Sequence, residues 1–243
     1  VTNALSSPEN NYLLAALSPE CKRRLFPYLE PVLMQQGMVL NEPGLTPRHA
    51  YFPTTSTVSL INEMSSGGAG EISMVGNEGL VGISLFIGGD SPSNWAIVQS
   101  AGSSYRLKAH LLKNEFDRNS ELQRLLLRYT QSLITQMAQT AVCNRHHSLD
   151  QQLCRWLLMF LDRQPNNKFT MTQELIANML GVRREGVTDA AGKLQKRGVI
   201  EYSRGHITVL DRPALEKLSC ECYAVVKKET DRLLPYIPLR MLS

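Results

Sequence analysis

The stretch TMTQELIANMLGVRREGVTDAAGKLQKRGVIEYSRGHITVL, Thr170 to Leu210, decides how the whole chain is read. Leu175, Ile176 and Met179 fall on one helical face, which predicts a short helix from about Gln173 to Met179. Leu180-Gly181-Val182 reads as the turn that ends it. Val187, Ala191 and Leu194 share a face of a second helix, opening at Arg183-Arg184-Glu185 and ending near Arg197-Gly198. Ile200 to Leu210 then reads as two short strands around Ser203-Arg204-Gly205. Packing the two apolar faces together leaves the first turn of the second helix protruding. That turn presents Arg184, Glu185, Thr188 and Asp189, polar side chains able to address base edges in a major groove. The pattern is that of a winged helix-turn-helix. A helical hairpin on a small sheet with no nucleic-acid role is the plainer alternative, but turn, helix opening and wing all argue against it.

The segment GVRREGVTDAAGKL resembles the recognition element of Crp/Fnr-type transcription regulators. The resemblance rests on Gly181 at the turn and on Arg184-Glu185-Gly186-Val187 at the helix opening. The run from Gly198-Val199-Ile200 to Ile207-Thr208-Val209 fits the wing. The resemblance implies a homodimer on a palindromic DNA site, with RNA polymerase a further partner. It places Arg183 to Lys193 in the major groove, with Arg184 on guanine O6/N7 and Glu185 on cytosine N4. Thr172, Gln173, Lys193, Arg204 and His206 are expected to position the protein on the phosphate backbone. Two residues depart from the usual pattern. Asp189 stands where a cation is common, and Gly186 replaces a threonine at roughly 1 kcal/mol of helix propensity.

Outside this segment the texture changes twice. Residues 1 to about 30 look helical, with Ser18-Pro19-Glu20 supplying a cap and an N1 proline. From Val32 to about Leu107, short runs such as YF, TVSLI, EISMV and WAIVQ alternate with Gly, Pro, Asn and Ser, which predicts a small all-β roll. In the resembled family this is the effector-sensing domain. From about Leu122 to Arg145 a helix without Gly or Pro carries two apolar stripes. One is Leu122, Leu126, Tyr129, Leu133, Met137 and Ala141; the other is Leu127, Ile134, Ala138 and Val142. One stripe is expected to face the roll and the other a partner helix. The first, from Leu126 through Tyr129, Leu133 and Met137 to Ala141, is assigned to the dimer interface. The expected class is α+β: a jelly-roll-like sensor over residues 1–115, a dimerisation helix over 116–146, and a winged helix-turn-helix with a helical tail over 147–243.

Composition narrows the class. No run of 18 apolar residues predicts a membrane span. The opening VTNALSSPENN lacks a signal peptide's basic region and apolar run, and Val1 fits a bacterial start codon read literally, so the expected location is the cytoplasm. The net charge of +4 is uneven. Residues 1–115 hold 7 Lys/Arg against 9 Asp/Glu, whereas residues 147–212 hold 10 against 7. The basic excess thus lies in the half assigned to DNA. Five cysteines, scattered and odd in number, read as reduced thiols.

Three other functions find less support in the residues. In the resembled family a cyclic-nucleotide cassette needs an arginine for the phosphate and an acid for the ribose. Here Gly82 fits the cassette glycine, Ile83 stands where the acid belongs, and Ser84 follows. Ser93 and Asn94 stand near the arginine position, and no arginine lies between Arg48 and Arg106. A buried phosphate without a cation is costly, so control by cyclic AMP is not expected and the effector is left open. No metal or cofactor is expected. Iron–sulfur members of the resembled family use an N-terminal cysteine cluster, and here the first thirty residues offer only Cys21, so that assembly lacks ligands. Cys220 and Cys222 would face different ways on a helix, and His146-His147 reads as a solvated hinge. Catalysis lacks a nucleophile elbow or phosphate-binding glycine pattern; Gly67-Gly68-Ala69-Gly70 reads as a hairpin turn. The alternative to a DNA-binding regulator is a protein-interaction module.

Overall fold

In a computed structural model, residues 6–65, 67–118 and 121–234 are described. The chain opens with helices α1 (Tyr12–Ala15) and α2 (Pro19–Leu25). Ser18 caps α2 through the Cys21 amide at 3.4 Å. Buried Asn11 caps α1 and donates from Nδ2 to the carbonyls of Pro53 (2.9 Å) and Gly79 (2.8 Å), fastening the opening helices to the roll.

The roll consists of β1 (Glu30–Met34), β2 (Val39–Asn41), β3 (His49–Pro53), β4 (Thr57–Glu63) and β5 (Ala69–Val75), then helix α3 (Ser84–Ile87), β6 (Trp95–Ser100) and β7 (Gly102–Lys108). One antiparallel sheet has the order β1-β7-β3, the other β2-β6-β4-β5. Phe52, Val58, Leu60, Val75, Leu85, Phe86, Val98 and Leu107 fill the space between them. Each such side chain contributes about 1.5–3 kcal/mol on leaving water. Helix α4 (Ala109–Asp117) closes the roll.

Helix α5 (Glu121–His146) runs along the roll, and α6 (Leu149–Leu161) follows a capping box between Ser148 and Gln151. Strand β8 (Lys168–Thr170), helices α7 (Gln173–Leu180) and α8 (Arg184–Lys196), and strands β9 (Ile200–Ser203) and β10 (His206–Val209) follow. The tail is α9 (Arg212–Leu218) and α10 (Glu221–Leu233). The expected helix pair and wing are in place. Strand β8 adds a third strand in the order β8-β10-β9.

The stripe assigned to the dimer requires correction. Leu122, Leu126, Tyr129 and Leu133 are at most 3% exposed and belong to the roll's own core, with Met137 packed at its edge. Tyr129 also donates to the Leu80 carbonyl at 2.9 Å. These residues are inside one chain, so Leu126, Tyr129 and Leu133 are not available to a partner. The free face is the second stripe, where Leu127, Ile134 and Val142 are 49, 53 and 46% exposed. Ala138 and Ala141 are exposed beside them. Helical spacing alone gives two stripes and not which one the roll takes.

On its roll side, α5 makes a contact that periodicity does not predict. Gln136 accepts from the Met74 amide (2.7 Å) and donates to the Met74 carbonyl (3.1 Å). A side-chain amide thus pairs with the open edge of β5 as a neighbouring strand would. The second core joins roll to C-terminal half: Ile61 and Met74 pack with α6, α7, α8 and the wing.

Candidate nucleic-acid interface

Helix α7 begins at Thr172, whose hydroxyl accepts from the Leu175 amide at 3.2 Å. It ends at Gly181, whose φ of 64° is the left-handed conformation that glycine adopts without steric cost. This terminator turns the chain into α8. Val187, Ala190, Ala191 and Leu194 bury the inner face of α8. Arg183, Arg184, Glu185, Thr188 and Asp189 are all exposed on its outer side. Thr188 donates to Gln173 Oε1 at 2.7 Å, joining the two helices at the surface.

Gly186 is half-buried against the start of α6. A Cβ there would come 2.7 Å from Leu149 Cδ2, the tip of a flexible side chain that would have to shift. Asp189 is also accounted for. Lys193, one turn on, reaches Asp189 at 2.9 Å and Asp150 at 3.1 Å. The carboxylate therefore carries its own counter-charge, and Lys193 has less free charge to offer a phosphate than its sequence position suggests.

The wing is a two-residue hairpin. Ser203 pairs with His206 across Arg204 and Gly205, whose φ values are 50° and 81°. Both central residues left-handed is the turn type that matches strand twist, and a non-glycine residue there costs roughly 1 kcal/mol. The strain holds the exposed Arg204 at the wing tip. His206 Nδ1 lies 3.1 Å from Thr170 Oγ1, on the edge shared by β10 and β8. The sequence-predicted DNA residues Thr172, Gln173, Arg183, Arg184, Glu185, Thr188, Asp189, Lys193, Arg204 and His206 thus come from α7, α8 and the wing of one unit.

The expected effector residues are more dispersed. Gly82 has φ 116° and its backbone passes close to Ala50. Ile83 packs against the roll core and Ser84 is buried with its hydroxyl unpaired. Ser93 is exposed, and Asn94 donates to the Trp95 carbonyl at 3.2 Å. Arg106, the next cation along, is paired with Glu30 at 2.7 Å.

Two acids at the junction of roll and C-terminal half, half-buried Glu78 and buried Glu71, gave no sequence signal. Glu78 pairs with Arg163 at 2.6 Å. Glu71, on β5, is enclosed: Trp156 Nε1 of α6 donates to it at 3.0 Å and the Ser59 hydroxyl donates to its other oxygen. Burial pushes its carboxyl up to about 7, against the pull of Ser59, Trp156, Arg155 and Arg163.

A roll, a long helix and an exposed, cation-bearing second helix with a wing make up a winged helix-turn-helix attached to a β-roll domain. Residues 151–218 match the Crp-like helix-turn-helix domain. No protein of curated function matches the sequence. Among solved structures, a regulator from Eubacterium rectale assigned to the Crp/Fnr family is 20% identical, with a TM-score of 0.63 over 86% of this chain and 98% of that one. FixK2 from Bradyrhizobium japonicum is 16% identical, with a TM-score of 0.68 over 79% of this chain and 98% of its own. The c-di-GMP responsive global regulator CLP of Xanthomonas campestris is 15% identical, with a TM-score of 0.60 over 79% and 99%. The chain therefore joins a Crp-like helix-turn-helix domain to a β-roll of cyclic-nucleotide-binding fold, the arrangement of Crp/Fnr-type transcription regulators.

Proposed function

We propose that the protein binds a palindromic DNA site as a homodimer, through α8, without control by cyclic AMP. Residues 1–115 act as the sensor-type roll, 116–146 pair the protomers, and 147–243 bind DNA in the cytoplasm. The observation that carries this reading is the two-sidedness of α8. Its apolar side is spent on α6 and α7, while Arg183, Arg184, Glu185, Thr188 and Asp189 share the open side of its first turns. Arg184 reads guanine O6/N7 and Glu185 reads cytosine N4. Thr172, Gln173, Arg204 and His206 hold phosphates, with a smaller share from Lys193. Pairing uses the exposed stripe of Leu127, Ile134 and Val142, flanked by Ala138 and Ala141. The 7-residue step from Leu127 to Ile134 suits a helix–helix seam. Half-site centres then lie about one helical turn, roughly 10 bp, apart.

Selection on random DNA followed by affinity measurement tests the reading. Arg184→Ala is expected to cost about 1–3 kcal/mol on the selected site and to relax preference at one base pair in each half-site. Equal loss on selected and random DNA would remove the base-reading role.

Ile83 packs against the core and Arg106 is already held by Glu30. Between Arg48 and Arg106 the sequence offers a cyclic phosphate no arginine or lysine. Titration calorimetry with millimolar cyclic AMP is expected to show no saturable heat and no change in DNA affinity. Micromolar binding that tightens the DNA complex would overturn this part and leave the DNA reading standing.

A further inference from the structure

Four side chains that DNA binding leaves unused converge where α5 meets the tail. Cys143 lies in the last turn of α5, His147 just beyond its end, and Cys220 and Cys222 where α9 gives way to α10. The Cys143 and Cys220 sulfurs stand 3.5 Å apart, and Cys222 Sγ is 3.6 Å from His147 Nδ1. All four donor atoms lie within 4.8 Å of one another. The three cysteines form a buried cluster separate from both apolar cores.

This corrects the sequence expectation on two counts. Cys220 is not helical: it caps α10 with φ −84° and ψ 166°, and this extended residue turns its thiol to the same side as that of Cys222. His147 is not a solvated hinge residue, since its side chain is only 14% exposed.

The separations of 3.5 and 3.6 Å suit one ion. Metal–sulfur bonds of about 2.3 Å and metal–nitrogen bonds of about 2.0–2.1 Å put neighbouring donors of a tetrahedron roughly 3.4–3.8 Å apart. A disulfide needs sulfurs at about 2.0 Å. An iron–sulfur cluster would spread its cysteines over several irons and hold their sulfurs farther apart. Two further features fit a metal centre. His147 turns its other nitrogen, Nε2, to Glu221 Oε2 at 3.2 Å. A carboxylate in that place fixes the ring and its tautomer for metal binding. Arg155, buried and with Nε unpartnered, reaches α5 beside the cluster, donating from Nη1 to Thr140 Oγ1 at 3.2 Å, three residues before Cys143. Three thiolates and one neutral imidazole around a divalent ion carry one net negative charge, which this guanidinium balances.

We propose that Cys143, His147, Cys220 and Cys222 bind a single tetrahedral divalent cation of the zinc class. Thiolate and imidazole donors select such an ion over calcium or magnesium. Four protein ligands leave no open position, so the site is structural and not catalytic. It clamps the end of the pairing helix to the start of α10, across the hinge from which α6, α7 and α8 hang. The ion therefore sets the angle at which the DNA-binding helices leave the pairing helix.

Elemental analysis of the full chain, purified under reductant, tests this directly. One zinc per chain is expected. Cys143→Ser and Cys222→Ser are each expected to lose it, and Cys21→Ser, remote from the cluster, to keep it. Glu221→Gln should retain the stoichiometry at saturating zinc while weakening affinity about 10–100-fold. Should the cysteine variants fail to fold, cobalt titration of metal-stripped, reduced wild-type protein gives an independent reading. Tetrahedral cobalt bands with thiolate-to-metal charge transfer at one equivalent support the site. Reduced wild-type protein that gives no such bands overturns it. So do bands that survive in folded Cys143→Ser and Cys222→Ser, or a Cys143–Cys220 disulfide in the reductant-purified chain.

Discussion

Ile134→Asp is expected to yield a folded monomer that no longer holds its operator. Ile134 is about half exposed on α5, so in one chain the carboxylate stays in water and costs little. In a dimer joined through the stripe it is buried twice over, unpaired, at several kcal/mol each. Losing the second protomer removes the gain from holding two half-sites at once, so operator affinity should fall by about 10²–10⁴-fold. The neighbouring substitution behaves in the opposite way. Leu133 is 2% exposed in the roll's core, and Leu133→Asp should destabilise the fold itself by roughly 3–5 kcal/mol. Sedimentation and thermal melting separate the two. A dimeric Ile134→Asp, or a well-folded monomeric Leu133→Asp, would place pairing on another face.

A second large effect is expected at Glu71. Its carboxyl titrates near 4.5 in an unfolded chain and near 7 in the folded one, because burial disfavours the anion. The folded state therefore holds a proton that the unfolded state releases between these values. Below about pH 4.5 both states are protonated and nothing is lost. As pH rises to about 7 stability falls, and above that the penalty is constant. The shift corresponds to a cost of about 3 kcal/mol. Glu71→Gln keeps an acceptor for Trp156 Nε1 and carries no charge. It should match the wild type near pH 4.5 and exceed it by up to about 3 kcal/mol at pH 8. Denaturant unfolding at several pH values tests this. A difference between the two proteins that does not change with pH would show that Glu71 is not the titrating group.

Much of the DNA-binding half could be read from its residues because its signals are local. Thr172, Gly181 and the Ser203–His206 hairpin each act within a few positions, and the faces of α7 and α8 follow from spacing alone. What the sequence hid depends on contacts between distant segments. Nothing around Leu126 or Leu133 says which stripe the roll occupies. Nothing near Gly186 foretells Leu149, some forty residues earlier. Strand β8 has three residues and exists because β10 offers it an edge. The four metal-type ligands are each visible as residues, but nothing local joins them, since Cys143 and Cys220 are 77 positions distant. The extended backbone at Cys220 then reversed the expected direction of its thiol.

The bond from Gln136 to Met74 also bears on the order in which the molecule is made. The two residues are 62 positions apart, so β5 leaves the ribosome well before the amide that covers its edge. Until the middle of α5 has been synthesised, Met74 exposes a bare amide and carbonyl to any other nascent chain. The roll is therefore complete as a sheet before it is safe as one. Fragments ending before Gln136 should tend to associate through β5, while chains that extend past it should not.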